Sequence, residues 1–360
     1  MKPLKYKEIM PGVAIEKLKL IEIDDLVGLI NKDLESIRCF LRESPYRDEI
    51  LKIVKDEIDS VSLEEALLEN YVKTCKKLIK FSVGDIRSLL LAVLKKFEVS
   101  NVKAMLRAVK AKMDVDEAMK YIIPVGALDK NRCRAILTGS ESIEDVINSL
   151  LDLEYGLITK DMLYEHERIE DLLPLEVALD KVMYQGIWKS VEKLRGLDKI
   201  VAKGVLGIEM DAINVKIVLR YKAMGVSQDQ IKDYLMPASL IDEEALEEAT
   251  EATDVKSAIE FLLRVAENAK NPFYQNIFTQ MLKECDAPLS RLEAILDKAS
   301  LKMSLYMLKE HTRYYNIGFI LAFLNLKWME IKNLRCIIKG AERKSPPSQV
   351  RKLLVLPSEW

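Results

Sequence analysis

Three stretches of this chain follow one pattern. Residues 98–107 (EVSNVKAMLR), 211–220 (DAINVKIVLR) and 330–339 (EIKNLRCIIK) each place an acidic residue three positions before an asparagine. An aliphatic residue follows, then a basic residue, three apolar or small residues and a second basic residue. The asparagines, Asn101, Asn214 and Asn333, lie 113 and 119 residues apart. The agreement reaches beyond this core. Pro124 and Pro237 each fall 23 residues after their asparagines, and Asp129 and Asp242 each fall 28 after. Upstream, LEVALDK at 175–181 matches LEAILDK at 292–298, and LEEALLE at 63–69 sits at about the same place before the first asparagine. So many matches in one order imply internal duplication. The chain reads as three tandem homologous domains, over residues 1–140, 141–255 and 256–360. They either close into a ring with pseudo-threefold symmetry or stack in a linear array.

The units are expected to be helical. Gly and Pro are scarce, at 13 and 11 in 360 residues, and strand-like alternation and Asn-Gly or Asp-Gly hairpin signals are nearly absent. Residues 51–58 carry helix-spaced apolar positions, and 86–97 and 317–329 read as largely buried helices. Pro45, Pro124, Pro237 and the Pro346-Pro347 pair punctuate them, since proline lacks an N–H and pushes its predecessor away from helix. The fold class is therefore all-α, and a length of 360 residues suits several small cores better than one.

On a helix, successive residues turn about 100°, so the two basic positions of the motif share one face outside the apolar arc while the asparagine lies inside it. A buried amide there is expected to satisfy backbone groups where a helix bends or begins. The acidic residues Glu98, Asp211 and Glu330 are expected near a helix start, where the helix dipole favours them. The basic positions are Lys103, Arg107, Lys216, Arg220, Arg335 and Lys339, and Arg343 follows the third copy. They form either a solvated face paired with nearby carboxylates or a rim of positive charge facing an acidic partner. The region from Lys327 to Lys352 is locally basic, although the whole chain has a net charge of −2.

Several function classes are disfavoured. A net charge of −2 argues against a large nucleic-acid footprint. There is no GxxxxGK[ST], GxGxxG or HExxH pattern, so no cofactor is expected. The two histidines, His166 and His311, are not spaced with cysteine as zinc ligands would be, and no metal site is expected. The five cysteines, none in CxxC spacing, read as reduced core thiols. Asp161, Glu165, Glu167, Glu170 and Asp171 read as the exposed face of a helix, and 242–251 as a solvated helix or a docking face. The longest apolar run, residues 317–326, is too short to span a bilayer, and no signal-peptide pattern opens the sequence. A cytoplasmic location is the expectation.

Taken together, the threefold motif, its proline-to-aspartate tail and the C-terminal stretch 318–339 followed by Pro346-Pro347 and Arg351 resemble one family. It is the C-subunit family of archaeal-type (A-type) and bacterial V-type ATP synthases, related to the eukaryotic V-ATPase d (AC39) protein. Ser44-Pro45-Tyr46 looks like the Thr-x-Tyr turn near that family's start, and the resemblance covers roughly residues 20–356. Residues 1–20 lack the family's Tyr-x-Tyr leader, and 341–345 lack its glycine-containing turn. The resemblance implies three helical domains in a pseudo-threefold funnel that performs no chemistry. Its implied partners are the D and F subunits of the central stalk, which form the shaft, and the cytoplasmic loops of the proteolipid ring. It implies a peripheral position on the cytoplasmic face of the cell membrane and a role in proton or sodium transport. Two other readings compete: a helical-repeat adaptor, which would carry repeats of about 30–50 residues, and an enzyme, which would need converging titratable groups.

Overall fold

The computed structural model describes residues 6–53, 59–154, 156, 163, 172–236, 240–311 and 316–356. Their regular structure is helical, and the only bridge among them outside helices joins Val125 to Leu128. Among the described residues, six helices longer than 20 residues follow one another along the chain as three consecutive pairs. These are α1 (Ser60–Lys80) with α2 (Gly84–Lys110), α3 (Leu173–Lys193) with α4 (Leu197–Ala223), and α5 (Leu289–His311) with α6 (Ile317–Glu342). The first two pairs match in length, with 21 residues in each first helix and 27 in each second. Each helix of the second pair starts 113 residues after its counterpart, the spacing of the first two asparagines.

The upstream repeat builds the first helix of each pair. Leu63, Ala66 and Leu67 are buried, as are Leu175, Ala178 and Leu179, and Leu292, Ile295 and Leu296. A fully buried leucine side chain contributes roughly 1.5–3 kcal/mol over an exposed one, so these i, i+3, i+4 stripes carry much of the packing energy of the first helices. In the second helix the motif's apolar positions are buried too: Val102, Met105 and Leu106; Val215, Val218 and Leu219; Leu334, Ile337 and Ile338.

The second helices also end alike. Lys112, Gly225 and Lys344, each 11 residues after its asparagine, have φ of 50°, 72° and 51°. In the first two copies the next N–H turns back to close the helix end, from Met113 to the Ala108 carbonyl at 2.9 Å and from Val226 to that of Tyr221 at 3.0 Å. A lysine in this left-handed region costs roughly 1–2 kcal/mol, which the surrounding packing must offset. Each turn leads into a short helix, Val115–Met119, Gln228–Tyr234 or Pro347–Leu353, and then into an extended strap. Asp129 and Asp242 cap the next helices by accepting from the Arg132 and Glu244 N–H groups, at 2.8 and 3.0 Å.

The chain divides into two compact units, Met1–Ile21 with Asn31–Leu194 and Ile338–Lys344, and Glu22–Ile30 with Arg195–Ile337 and Ser345–Trp360. In the first, α2 packs on α3; in the second, α4 packs on α5. Each pairing joins the second helix of one copy to the first helix of the next.

Most punctuation falls as expected, with Pro45 between Leu34–Arg42 and Arg47–Ile50 and the Pro346-Pro347 pair after α6. The helix expected over 51–58 is not found at 51–53. The Lys52 and Ile53 N–H groups bond three residues back, to Glu49 and Ile50, and the chain leaves the helix in a tight turn. Residues 54–58 lie outside the described residues, as do Pro237, His166 and the 161–171 carboxylates.

Candidate functional site

The three asparagines perform one task. Asn101 Nδ2 donates to the Ile123 carbonyl at 2.6 Å, and the Ile123 N–H donates back to Asn101 Oδ1 at 2.8 Å. Asn214 does the same with Met236, at 3.3 and 2.7 Å, and Asn333 with Val355, at 2.9 and 2.8 Å. The gripped residue is always 22 positions downstream, in the extended strap. All three amides are buried, two of them completely. The strap has left its helix and has no ladder partner, so its N–H and C=O would otherwise be orphaned in the core. A primary amide presents one donor and one acceptor side by side, the complement of one peptide unit.

This corrects the expectation from sequence. The satisfied groups belong to a strap 22 residues away, and the asparagines sit inside long helices, not at their starts. The acidic residues are likewise mid-helix, so the dipole argument does not apply to them. Glu98 Oε1 accepts from the Ala127 N–H at 3.0 Å, and Asp211 Oδ1 from the Leu240 and Ile241 N–H groups at 2.8 and 3.1 Å. The Tyr274 hydroxyl donates to the other Asp211 oxygen, and burial raises its pKa. Glu330 is buried with the Lys327 ammonium, 2.8 Å away. Gly126, at φ +56°, lies against the Glu98 carboxylate: a Cβ there would come within 1.5 Å of Oε1.

The basic positions meet carboxylates of this same chain. Lys103 pairs with Asp180 at 2.6 Å, and Arg107 holds Glu176 through two bonds of 2.6 and 2.7 Å. Lys216 pairs with Asp297 at 2.8 Å and Arg220 with Glu293 at 2.5 Å. Lys339 lies 3.1 Å from Glu64. In each case the base stands on a second helix and the acid in the LE-type repeat of another copy's first helix. Arg335 is half-buried, and where Asp180 and Asp297 stand in later copies the first copy has Leu68. Arg343 is exposed.

The acids Glu64, Glu176, Asp180, Glu293 and Asp297 are the partners sequence reasoning missed. Their signal was present: acids four apart in LEVALD and LEAILD mirror bases four apart in NVKAMLR and NVKIVLR. The paired aspartates differ in setting. Burial raises the Asp180 carboxyl, and Lys103 only partly counters it. Burial pushes Asp297 the same way, but Lys332 at 2.9 Å and Lys216 outweigh it and hold this carboxyl below its usual range. The C-terminal basic region is thus partly consumed within the chain, through Lys327, Lys332 and Lys339.

Residues 16–353 match the family model described as ATP synthase (C/AC39) subunit. The A-type ATP synthase C protein of Methanocaldococcus jannaschii is 25% identical over 97% of this chain and 86% of its own. Its namesakes from Methanococcoides burtonii and Methanosphaera stadtmanae are each 26% identical. The first covers 98% of this chain and 94% of its own, the second 90% and 81%.

Proposed function

The chain belongs to the ATP synthase (C/AC39) subunit family, and we propose that it is the non-catalytic central-stalk component of a rotary A-type or V-type ATP synthase. In this reading it is a socket. One end receives the rotating shaft made by the D and F subunits, and the other sits on the cytoplasmic loops of the proteolipid ring. Torque then passes through it and couples ATP turnover to proton or sodium movement. The three sequence repeats are three modules of a pseudo-threefold funnel, and the protein lies at the cytoplasmic face of the membrane through the ring.

The observation that carries this reading is the threefold clasp with its ion-pair joints. A torque coupler must resist twisting. Each module is closed on itself by a buried amide, and its basic face binds the acidic face of another module: copy one to copy two, two to three, and three to one. Partly buried ion pairs fix orientation more than they add stability. No described helix is long and apolar enough to cross a membrane. The test is affinity purification of the tagged chain from its host. The D and F subunits and the proteolipid should co-purify with it, and a chain truncated after Lys327, which removes Asn333, should lose them. Recovery of the chain without any rotary component would overturn the proposal.

A further inference from the structure

We propose that a groove in the first unit, between α1 and the first strap, is a docking site for an acidic segment of another protein. The inference rests on the role in an assembly argued above. The groove has a volume of about 560 Å³ and is lined by apolar groups of Val72, Ile123 and Pro124 together with Lys76 and Lys130. Two further lysines line it but are engaged. Lys52 pairs with Glu69, and Lys73 bridges Asp48 and Glu49 at 3.1 and 2.9 Å. Lys76 and Lys130 are exposed and have no carboxylate partner among the described residues. They are the uncommitted charges of the groove.

Two observations point to a partner and to its chemistry. First, these lysines do not recur where other copies can be aligned. Aligned on the LE-x-x-L repeat, Lys76 corresponds to Trp188 and Leu305, and aligned on the capping aspartates, Lys130 corresponds to Glu243. Positions that build the module recur, as the clasps do; a position that departs in one copy is free to serve a contact made by that copy alone. Second, the lining favours a peptide over a phosphate compound. Glu65 and Glu69 also face the groove and would repel a polyanion. No arginine fork lines it, and the helix N-terminus beside Lys130 is already taken by the Asp129 side chain. An apolar base flanked by two unpaired ammonium groups suits a segment that places an apolar anchor beside one or two carboxylates.

The test compares the free chain with the chain in its purified complex, by amine acetylation and zero-length carbodiimide cross-linking, both read by mass spectrometry. In the complex, acetylation of Lys76 and Lys130 is expected to fall while that of Lys110 holds. Cross-links should join Lys76 or Lys130 to an aspartate or glutamate of another protein of the complex. K76E/K130E should keep the thermal melt of the free chain and weaken incorporation by about tenfold or more. Equal acetylation in both states, with no cross-link, overturns the proposal while leaving the role in the complex intact. Protection of the free chain by tripolyphosphate overturns it in favour of a phosphate site. Failure of the unaltered chain to enter any complex overturns the wider reading first and this one with it.

Discussion

Lys339 lies 3.1 Å from Glu64, so the last copy of the motif meets the acidic repeat of the first. The same positions join copy one to copy two through Arg107 and Glu176, and copy two to copy three through Arg220 and Glu293. At the third joint Leu68 occupies the place held by Asp180 and Asp297. Lys339→Glu, which sets two carboxylates face to face, should lower the melting temperature. Adding Glu64→Lys should restore much of the loss. A double variant as unstable as the sum of its parts would show that this contact couples nothing.

Each clasp should matter to stability out of proportion to its size. Asn101→Ala leaves a buried N–H and C=O of Ile123 unpaired, and each such group costs roughly 1–3 kcal/mol. We expect a loss of about 2–4 kcal/mol in urea unfolding. Asn101→Asp keeps the shape and the acceptor but loses the donor and buries a charge, so it should be no better than alanine. A loss below about 0.5 kcal/mol for both, within the range of ordinary surface substitutions, would mean that the clasp does not hold the strap.

Gly126 and Glu98 should be coupled. Gly126→Ala places a methyl group on the Glu98 carboxylate in a backbone conformation unfavourable to alanine, and should cost roughly 2–3 kcal/mol. Made in a Glu98→Ala background, the same change should cost distinctly less. Equal costs in both backgrounds would show that the two residues do not touch.

The two joint aspartates should behave differently with pH. Asp297 has its folded-state pKa lowered, so its contribution is present above the usual carboxylate range and lost as pH falls through the folded value. Asp180 has its value raised, so folding favours its protonated form and its ionisation works against stability as pH rises. At neutral pH Asp297→Asn should cost about 1–3 kcal/mol, since two lysines lose their acid, and Asp180→Asn should cost less. The Asp297→Asn deficit should shrink below about pH 4. Equal deficits for both variants across pH would contradict the assignment.

Thiol chemistry gives an inexpensive check of the packing. Burial pushes the Cys75 thiol up to about 12 and that of Cys133 up to about 11, whereas Cys39 is exposed. Iodoacetamide at neutral pH should label Cys39 in the native chain and reach Cys75 and Cys133 only after unfolding. Early labelling of Cys75 would mean that α1 is not packed as described.

The repeat was legible because duplication leaves identical residues at identical spacings, and Asn101, Asn214 and Asn333 needed no structure to be found. What they grip was not legible. The bond runs to backbone atoms of Ile123, Met236 and Val355, which share no side chain that would mark them. Pro124 and Pro237 marked the region one residue off, and the third copy has Leu356 in their place. The left-handed Lys112 and Lys344 were hidden for a related reason: only Gly225 announces that conformation by its type. The joints were half legible. The four-residue spacing of acids and bases was visible, but nothing local says that a base in one copy meets an acid in another. Lys327 and Lys332 read only as part of a locally basic stretch until burial and partners were known, because sequence gives charge without environment.

A socket that transmits torque and does no chemistry should be dispensable for hydrolysis but not for transport. The deciding experiment reconstitutes the complete complex into sealed vesicles with and without the chain, following ATP hydrolysis and ATP-driven ion uptake together. Omitting the chain should leave hydrolysis running and abolish uptake, and adding it back should restore the link. Ion uptake at an undiminished rate without the chain would contradict the torque role.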